Sequence, residues 1–421
     1  MPEIKPFAAL RYNPEKVNLA DVVVPPYDVI KEKQRQALAE QPYSGVRLTL
    51  IPEEAGDTPE NNRYTRSRDL FQKWQDEGIL VQDEQPALYI LRQDFTWEGS
   101  PYTRMHLVAA CRLYEFAEKI ILPHEQILQG PKDDRQRLIE TTRANYEPLF
   151  GLTMGDSSDF RALLEQHAEG EPLEDVTLEN GERNRVWRVT DPDAIRAFEQ
   201  SVANKTVVIA DGHHRYNASL GVKRDMDAQH GPGPWDYAMM TLAAMDDPRL
   251  LVLPTHRMVA GLESYDEDEI VNRLGEFFRV ERKASPEEVM KAMDEAEGVA
   301  IGMLAEPDAS YVLLPHDPGN VAAMIESDHS REWKSLDVSV LHGVIMDRVL
   351  GLGAGESPHI TYTRDAREAA ESVRGEAQLA FLLKDTPAEA VRVISLLGET
   401  MPQKSTYFYP KLLTGLLIRK W

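Results

Sequence analysis

Residues 206–220 read TVVIADGHHRYNASL. An apolar β-branched run leads in, and a helical spacing of Tyr216 and Leu220 leads out. Between them stand Asp211, Gly212, His213, His214 and Arg215, five consecutive positions that break an otherwise buried pattern. The reading is a buried strand at 206–210, a turn on Gly212, and a helix that starts at or just after the histidines and runs to about Met226. Glycine opens backbone angles closed to other residues and admits a ligand close to the main chain. The first amides of the following helix lack intrahelical acceptors, and its positive end faces the turn. Such an end is a natural anion site. Arg215 can fork onto two phosphate oxygens. His213 and His214 can donate hydrogen bonds or take a proton, and Asp211 can orient one of them or hold Mg²⁺.

Working outward, strands and helices are mixed, which predicts an α/β (α+β) chain. "ADVVVPPYDVI" predicts a short strand stopped by Pro25-Pro26. "PALYILRQDF" and "MHLVAACRLY" predict paired strands across the turn-rich "TWEGSPY". "DVTLENGERNRVWRV" predicts a hairpin on the two-residue turn Asn180-Gly181. "KDDRQRLIETTRANY" predicts a helix with acidic residues in its first turn. From about residue 262 the pattern is helix-rich, with strands at "GVAIGML", "SYVLL" and "QLAFLL". At 421 residues the chain exceeds what one core usually serves. The expected division is 1–260, an α/β domain with insertions, and 261–421, a mixed α/β domain whose end can return to the site.

Lysine and arginine total 47 against 70 acidic residues, a net charge of −23. That balance excludes a protein built to neutralise nucleic-acid phosphates. No apolar run reaches the roughly 18 residues of a membrane span. "MPEIKPFAAL" lacks a basic segment followed by an apolar core, so a cytoplasmic chain is expected. Cys111, the one cysteine, sits in a predicted strand and reads as a buried thiol. No Cys/His spacing suits zinc.

Other stretches carry chemistry. "PHEQILQGPKDDR" (123–135) sets His124 and Glu125 on a loop before Lys132, Asp134 and Arg135 at a helix start. It is not H-E-x-x-H, because residue 128 is Leu. A carboxylate beside a histidine can act as general base or Mg²⁺ ligand, with Lys132 and Arg135 steadying phosphate; a solvated charged loop fits those residues equally well. Tyr27 and Asp28 in "PPYDV" and His256 and Arg257 in "PTHR" are weaker substrate-contact candidates. So are Lys404, Ser405, Thr406 and Lys411 in "KSTYFYPK". "GLGAGES" (351–357) is a dinucleotide lookalike in which Glu356 replaces the last glycine, so it reads as a helix end and loop.

The turn "DGHHR" resembles the signature of the ParB/sulfiredoxin-like superfamily. Over its length the chain resembles the DUF1015 family through "VVPPYDVI" (23–30), "PHEQILQGPKDDR", "RANYEPLFGL" (143–152), "ADGHHRY" (210–216), "LPTHRMV" (253–259) and "MPQKSTYFYPKLLTGL" (401–416). The resemblance implies a ParB/sulfiredoxin-like nucleotide-binding core with a helix-rich C-terminal domain. Sulfiredoxins place a catalytic cysteine where this chain has His213, so sulfinic-acid reduction is not available to it. The superfamily includes ADP- or ATP-dependent kinases of free serine, whose turn is similar in chemistry. The expected activity is nucleotide-dependent phosphotransfer to serine or a similar hydroxy acid, or the reverse ester hydrolysis. Glu125 would be the base, with His124, His213 and His214 in catalytic roles. The expected partners are ATP or ADP with Mg²⁺ and a small anionic or hydroxy-acid metabolite. The oligomeric state stays open, a homodimer included. A nucleotide-sensing protein that regulates a partner is the competing expectation.

Overall fold

The computed structural model describes residues 1–126, 129–305, 308–353, 355 and 357–421. Ala354 and Glu356 of the dinucleotide lookalike, and Ile127 and Leu128 of the 123–135 stretch, lie outside them. Two compact units emerge. The first comprises residues 1–123, 127–250 and 410–421; the second comprises 124–126 and 251–409. Set beside the division at 260 read from the sequence, residues 124–126 and 251–260 belong to the second unit and 410–421 to the first.

The first unit is built on a nine-stranded mixed sheet. Its strands are β1 (Ile4–Lys5), β2 (Leu88–Trp97), β3 (Ser100–Arg112), β4 (Ile121–Leu122), β5 (Leu149–Thr153), β6 (Glu174–Thr177), β7 (Arg183–Val189), β8 (Val207–Asp211) and β9 (Tyr237–Ala244). The order is β4-β8-β5-β9-β3-β2-β7-β6, with β1 also paired to β3. The β4–β8 and β5–β9 pairs are parallel and the others antiparallel. One sheet face is apolar: Leu88, Ile90, Leu107, Ala109, Val207, Ile209, Met240 and Leu242 pack with Phe160, Leu164, Phe198 and Val202. Alternation along the strands sends Gln93, Arg104, His106 and Asn184 to the opposite face, where they too are buried. Cys111 is buried in β3. Three helices matter below: α1 (Arg63–Asp76), α2 (Gln129–Thr142) and α3 (His213–His230).

The second unit holds a six-stranded antiparallel sheet of β10 (His256–Val259), β11 (Phe278–Lys283), β12 (Ile301–Ala305), β13 (Ala309–Pro315), β14 (Ile360–Thr363) and β15 (Leu379–Leu382). The order is β11-β13-β12-β15-β10-β14. Both faces are covered, and the period of two shows it. Ile301, Met303 and Ala305 join the core that contains Leu341 and Ile345. Ala300 and Leu304 join the core that contains Val289 and Met293.

Several local readings are corrected. Leu19–Val22 is a short helix, not a strand, with the Asn18 side chain accepting from the Ala20 amide. Pro25 and Pro26 supply no N–H to a ladder, and Val24 is left with a single bridge to Thr414. The 174–189 hairpin turns on three residues, because the Leu178 amide bonds the Glu182 carbonyl. Gly181 takes the left-handed conformation such loops require (φ 85°). Helix α2 begins at Gln129 and has no acidic residue in its first turn. Pro131 fits that first turn, where an amide would lack an acceptor. Helix α3 runs on to His230, four residues past the expected end.

Candidate functional site

Strand β8 delivers Asp211 to its own end, and Gly212 turns the chain into α3. Gly212 is the N-cap residue, left-handed at φ 89° and ψ 31°, with no side chain to cap the helix. A Cβ there would sit 3.1 Å from the guanidinium of Arg215, so glycine is required both for its angles and for space. The turn is held by charge. Asp211 accepts from Lys411 Nζ at 2.6 Å through one carboxylate oxygen and from Arg215 Nη2 at 2.6 Å through the other. Arg215 also gives Nη1 to the Pro148 carbonyl at 2.6 Å, and its Nε lies 4.0 Å from Glu147. All three side chains are largely buried. Burial alone would raise the Asp211 carboxyl, but Lys411 and then Arg215 outweigh it and hold the group below the usual carboxylate range. Both Nη groups of Arg215 are therefore engaged in the turn itself, which it braces.

Glu147 extends the brace. It accepts from the Tyr27 amide and from Thr414 Oγ1, each at 3.0 Å. Tyr27 opens a short 3₁₀ turn, Tyr27–Val29, and Asp28 beside it is exposed. The Arg135 guanidinium stacks 4.3 Å over the Tyr27 ring. It bonds the Thr49 carbonyl at 2.9 Å and Asp134 at 2.8 Å. Burial, the Asp28 charge and Glu147 push the Tyr27 hydroxyl above its ordinary range against Arg135 and Arg215. The first unit thus gathers Tyr27, Arg135, Asp211, Arg215 and Lys411 of the sequence candidates. His213 is buried and His214 half-buried in the first turn of α3. Lys132 is half-buried on α2.

A cavity of about 590 Å³ adjoins this cluster, lined among others by Tyr27, Arg35, Thr49, Arg63, Asp134 and Arg135. A chamber of about 30 Å³, lined among others by Arg135, Glu147 and Arg215, shares Thr49, Arg135 and Leu138 with it.

The remaining candidates lie in the second unit. His124 is fully buried and its Nε2 meets Thr406 Oγ1 at 2.8 Å. Glu125 accepts from the Lys404 amide at 2.7 Å, and Lys404 is left-handed at φ 56°. Arg257 is buried and donates to the Gln403 and Lys404 carbonyls at 3.2 and 3.1 Å. Burial pushes its guanidinium down to about 10, with Tyr362 and Glu125 acting against that. His256 accepts from the Leu383 amide through Nδ1, and Ser405 is buried. His124, Glu125 and Arg257 together hold one loop, 401–406.

The sequence reading missed two features. Glu147 was one letter inside "RANYEPLFGL", and only its proline neighbour before a strand marks it. The polar face of the large sheet was the other. Arg104 donates Nε to His106 Nε2 at 2.9 Å and Nη2 to Gln93 at 2.8 Å, and Gln93 passes a bond to Asn184 at 3.0 Å. Arginine can only donate, so His106 Nε2 is an acceptor and the ring is neutral. Burial and then Arg104 hold its pKa low, in agreement. The alternation of Arg104 and His106 within an apolar strand was the available clue.

Among the described residues no group of three or more His, Cys, Asp or Glu side chains could hold a metal ion. No helix among them is long and apolar enough to cross a membrane.

Fold and cluster together define a two-unit mixed α/β protein whose first unit carries a braced strand–glycine–helix turn. The chain belongs to the family described as "Protein of unknown function (DUF1015)", whose model matches residues 4–339. No curated protein matches it. Among solved structures, it is similar to a free serine kinase in complex with AMP, at 16% identity and TM-score 0.34, covering 68% of this chain and 83% of that one. A conserved hypothetical protein from Pyrococcus furiosus matches at 16% identity and TM-score 0.33, covering 70% and 89%. SbnI from Staphylococcus aureus, with a C-terminal truncation, matches at 10% identity and TM-score 0.34, covering 70% and 82%. Scores this low leave the functional reading to the residues themselves.

Proposed function

We propose that this chain is a nucleotide-dependent phosphotransferase acting on a small hydroxyl-bearing metabolite, such as free serine or a similar hydroxy acid, on a ParB/sulfiredoxin-like core. One observation carries the reading. A left-handed glycine opens an eighteen-residue helix without a side-chain cap, and two histidines follow it directly. ATP or ADP would place its phosphates there, against the helix end and the histidines. The brace of Lys411, Asp211 and Arg215 would keep the turn in shape before the ligand arrives. Both Asp211 oxygens already accept from cations, so that carboxylate fits Mg²⁺ poorly. Mg²⁺, when bound, would supply charge neutralisation to the phosphates of the nucleotide.

In the transfer, Glu125 takes the proton from the acceptor hydroxyl, a new oxygen–phosphorus bond forms, and the bond to the departing nucleotide breaks. His213 and His214 stabilise the moving charge, with His124 and Lys132 as lesser contributors. Ester hydrolysis is the same chemistry with water as acceptor.

Thermal-shift measurements with ATP, ADP, CTP and GTP, each with and without Mg²⁺, test the first half. Stabilisation by at least one of them is expected, and none would refute it. Product formation with serine and other hydroxy acids tests the second half. Glu125→Gln should lower turnover and keep the nucleotide shift; unchanged turnover removes Glu125 as the base. Binding without any turnover would replace the enzyme by a nucleotide sensor.

A further inference from the structure

We infer that the 590 Å³ cavity of the first unit is a binding site for a small monocarboxylate, anchored on Arg135. The volume suits a metabolite rather than a water or a macromolecular segment. Arg135 is 4% exposed. Its Nε and Nη2 are engaged by Asp134 and Thr49, whereas Nη1 is buried with no partner. A buried, unpaired guanidinium N–H is costly, and a carboxylate oxygen is the group that relieves it best. At the rim, Arg63 holds Asp134 at 2.7 Å and keeps an unpartnered buried Nε of its own.

Charge selects the class of anion. Three guanidiniums (Arg35, Arg63, Arg135) and two carboxylates (Glu32, Asp134) line the cavity. Glu53, 3.5 Å from Arg63, offsets part of that excess, and a balance so small suits one carboxylate and leaves a dianionic phosphate under-neutralised. Leu48, Leu50, Ile51 and Leu138 supply apolar wall for the body of the ligand.

The cavity also touches the braced turn. The small chamber, large enough for one acceptor atom or a water, is lined by Arg135 and by Arg215. The Arg215 Nε is buried there without a hydrogen-bond partner. A ligand oxygen or a water in the chamber would bridge both arginines. As the acceptor site of the phosphotransfer the inference rests on the proposed function; as a carboxylate site it does not.

The test is calorimetry on the full chain without nucleotide, so its failure is separate from failure of nucleotide binding. Probes are L-serine, lactate and a panel of short monocarboxylates at millimolar concentration. The matching amides and inorganic phosphate serve as comparators. At least one acid should bind, and its amide should bind roughly tenfold to a hundredfold more weakly. Arg135→Gln should lose binding by a similar factor. Because that variant risks misfolding, Leu50→Trp is measured beside it: it fills the cavity from the wall, leaves every arginine, and should abolish binding with an unchanged circular dichroism spectrum. The inference is overturned if no carboxylate binds, if acid and amide bind alike, if phosphate displaces the acid competitively with greater affinity, or if folded Leu50→Trp binds normally.

Discussion

Replacing Asp211 by asparagine removes the one negative charge between two cations. Lys411 and Arg215 each lie 2.6 Å from it, and the three side chains are between 7% and 16% exposed. Breaking a buried ion pair by removing one partner costs about 3–5 kcal/mol, because charge is left buried without compensation. Asparagine keeps one acceptor oxygen, and Arg215 keeps the Pro148 carbonyl. The expected loss is therefore near the lower end, about 3 kcal/mol. Urea unfolding followed by tryptophan fluorescence reads it: of the six tryptophans, all but Trp333 fall in the first unit. The pH dependence gives a second check. The folded Asp211 pKa is below the unfolded one, so on acidification the unfolded chain binds the proton first. The contribution of the charge is whole above the ordinary aspartate pKa, about 3.9, and fades as pH falls below it. The gap between wild type and D211N should be level from neutral pH to about pH 5 and narrow toward pH 3. A gap under about 1 kcal/mol at neutral pH, or one that persists unchanged to pH 3, would refute the brace.

Gly212→Ala meets both a left-handed φ and the Arg215 guanidinium; a loss of roughly 1–2 kcal/mol and a smaller nucleotide-induced melting shift are expected in thermal denaturation. Glu147→Gln weakens the charged acceptor that holds the Tyr27 amide and Thr414; about 2 kcal/mol should go, and hydrogen exchange should quicken at the Tyr27 amide first. In the second unit a buried histidine and a half-buried aspartate oppose each other. Burial pushes His256 down to about 4 from 6.5, so stability falls as pH drops through that window. Burial pushes Asp337 up to about 6 from 3.8, so stability falls as pH rises through that one. Each is worth roughly 3 kcal/mol. His256→Asn should therefore leave a slope falling with rising pH and Asp337→Asn the reverse, read from denaturant midpoints between pH 4 and 6.5; equal slopes in both variants would count against the assignment.

How much of this was legible depended on how local the physics was. The strand, glycine and helix at 207–230 follow from a β-branched run, a residue free to turn left-handed, and a 3.6 period. Glu98-Gly99 turns β2 into β3 with both residues at positive φ, as the sequence around "TWEGSPY" suggests. Val22–Val24 misled because β-branched residues fit a strand only where a partner strand exists, and two prolines removed the ladder. The partners of the site were not legible. Lys411 and Asp211 are 200 residues apart, and no spacing rule joins them. Arg104 reads as a surface cation by type, and only its distant partners, Gln93 and the Pro410 carbonyl, make it a buried donor.

The twelve residues from 410 to 421 have a consequence for synthesis. They supply Lys411 to Asp211 and Thr414 to Glu147, and Ile418 exchanges both backbone bonds with Leu10. A nascent chain that has emerged only as far as residue 250 holds every strand of the large sheet, yet Asp211 has Arg215 without Lys411, and the Leu10 backbone lacks the two bonds that Ile418 supplies. The whole second unit leaves the ribosome before that is repaired. The earlier-made unit is thus the later one to finish folding, and it must be sheltered from aggregation for as long as translation of the next 160 or so residues takes, on the order of ten seconds or more.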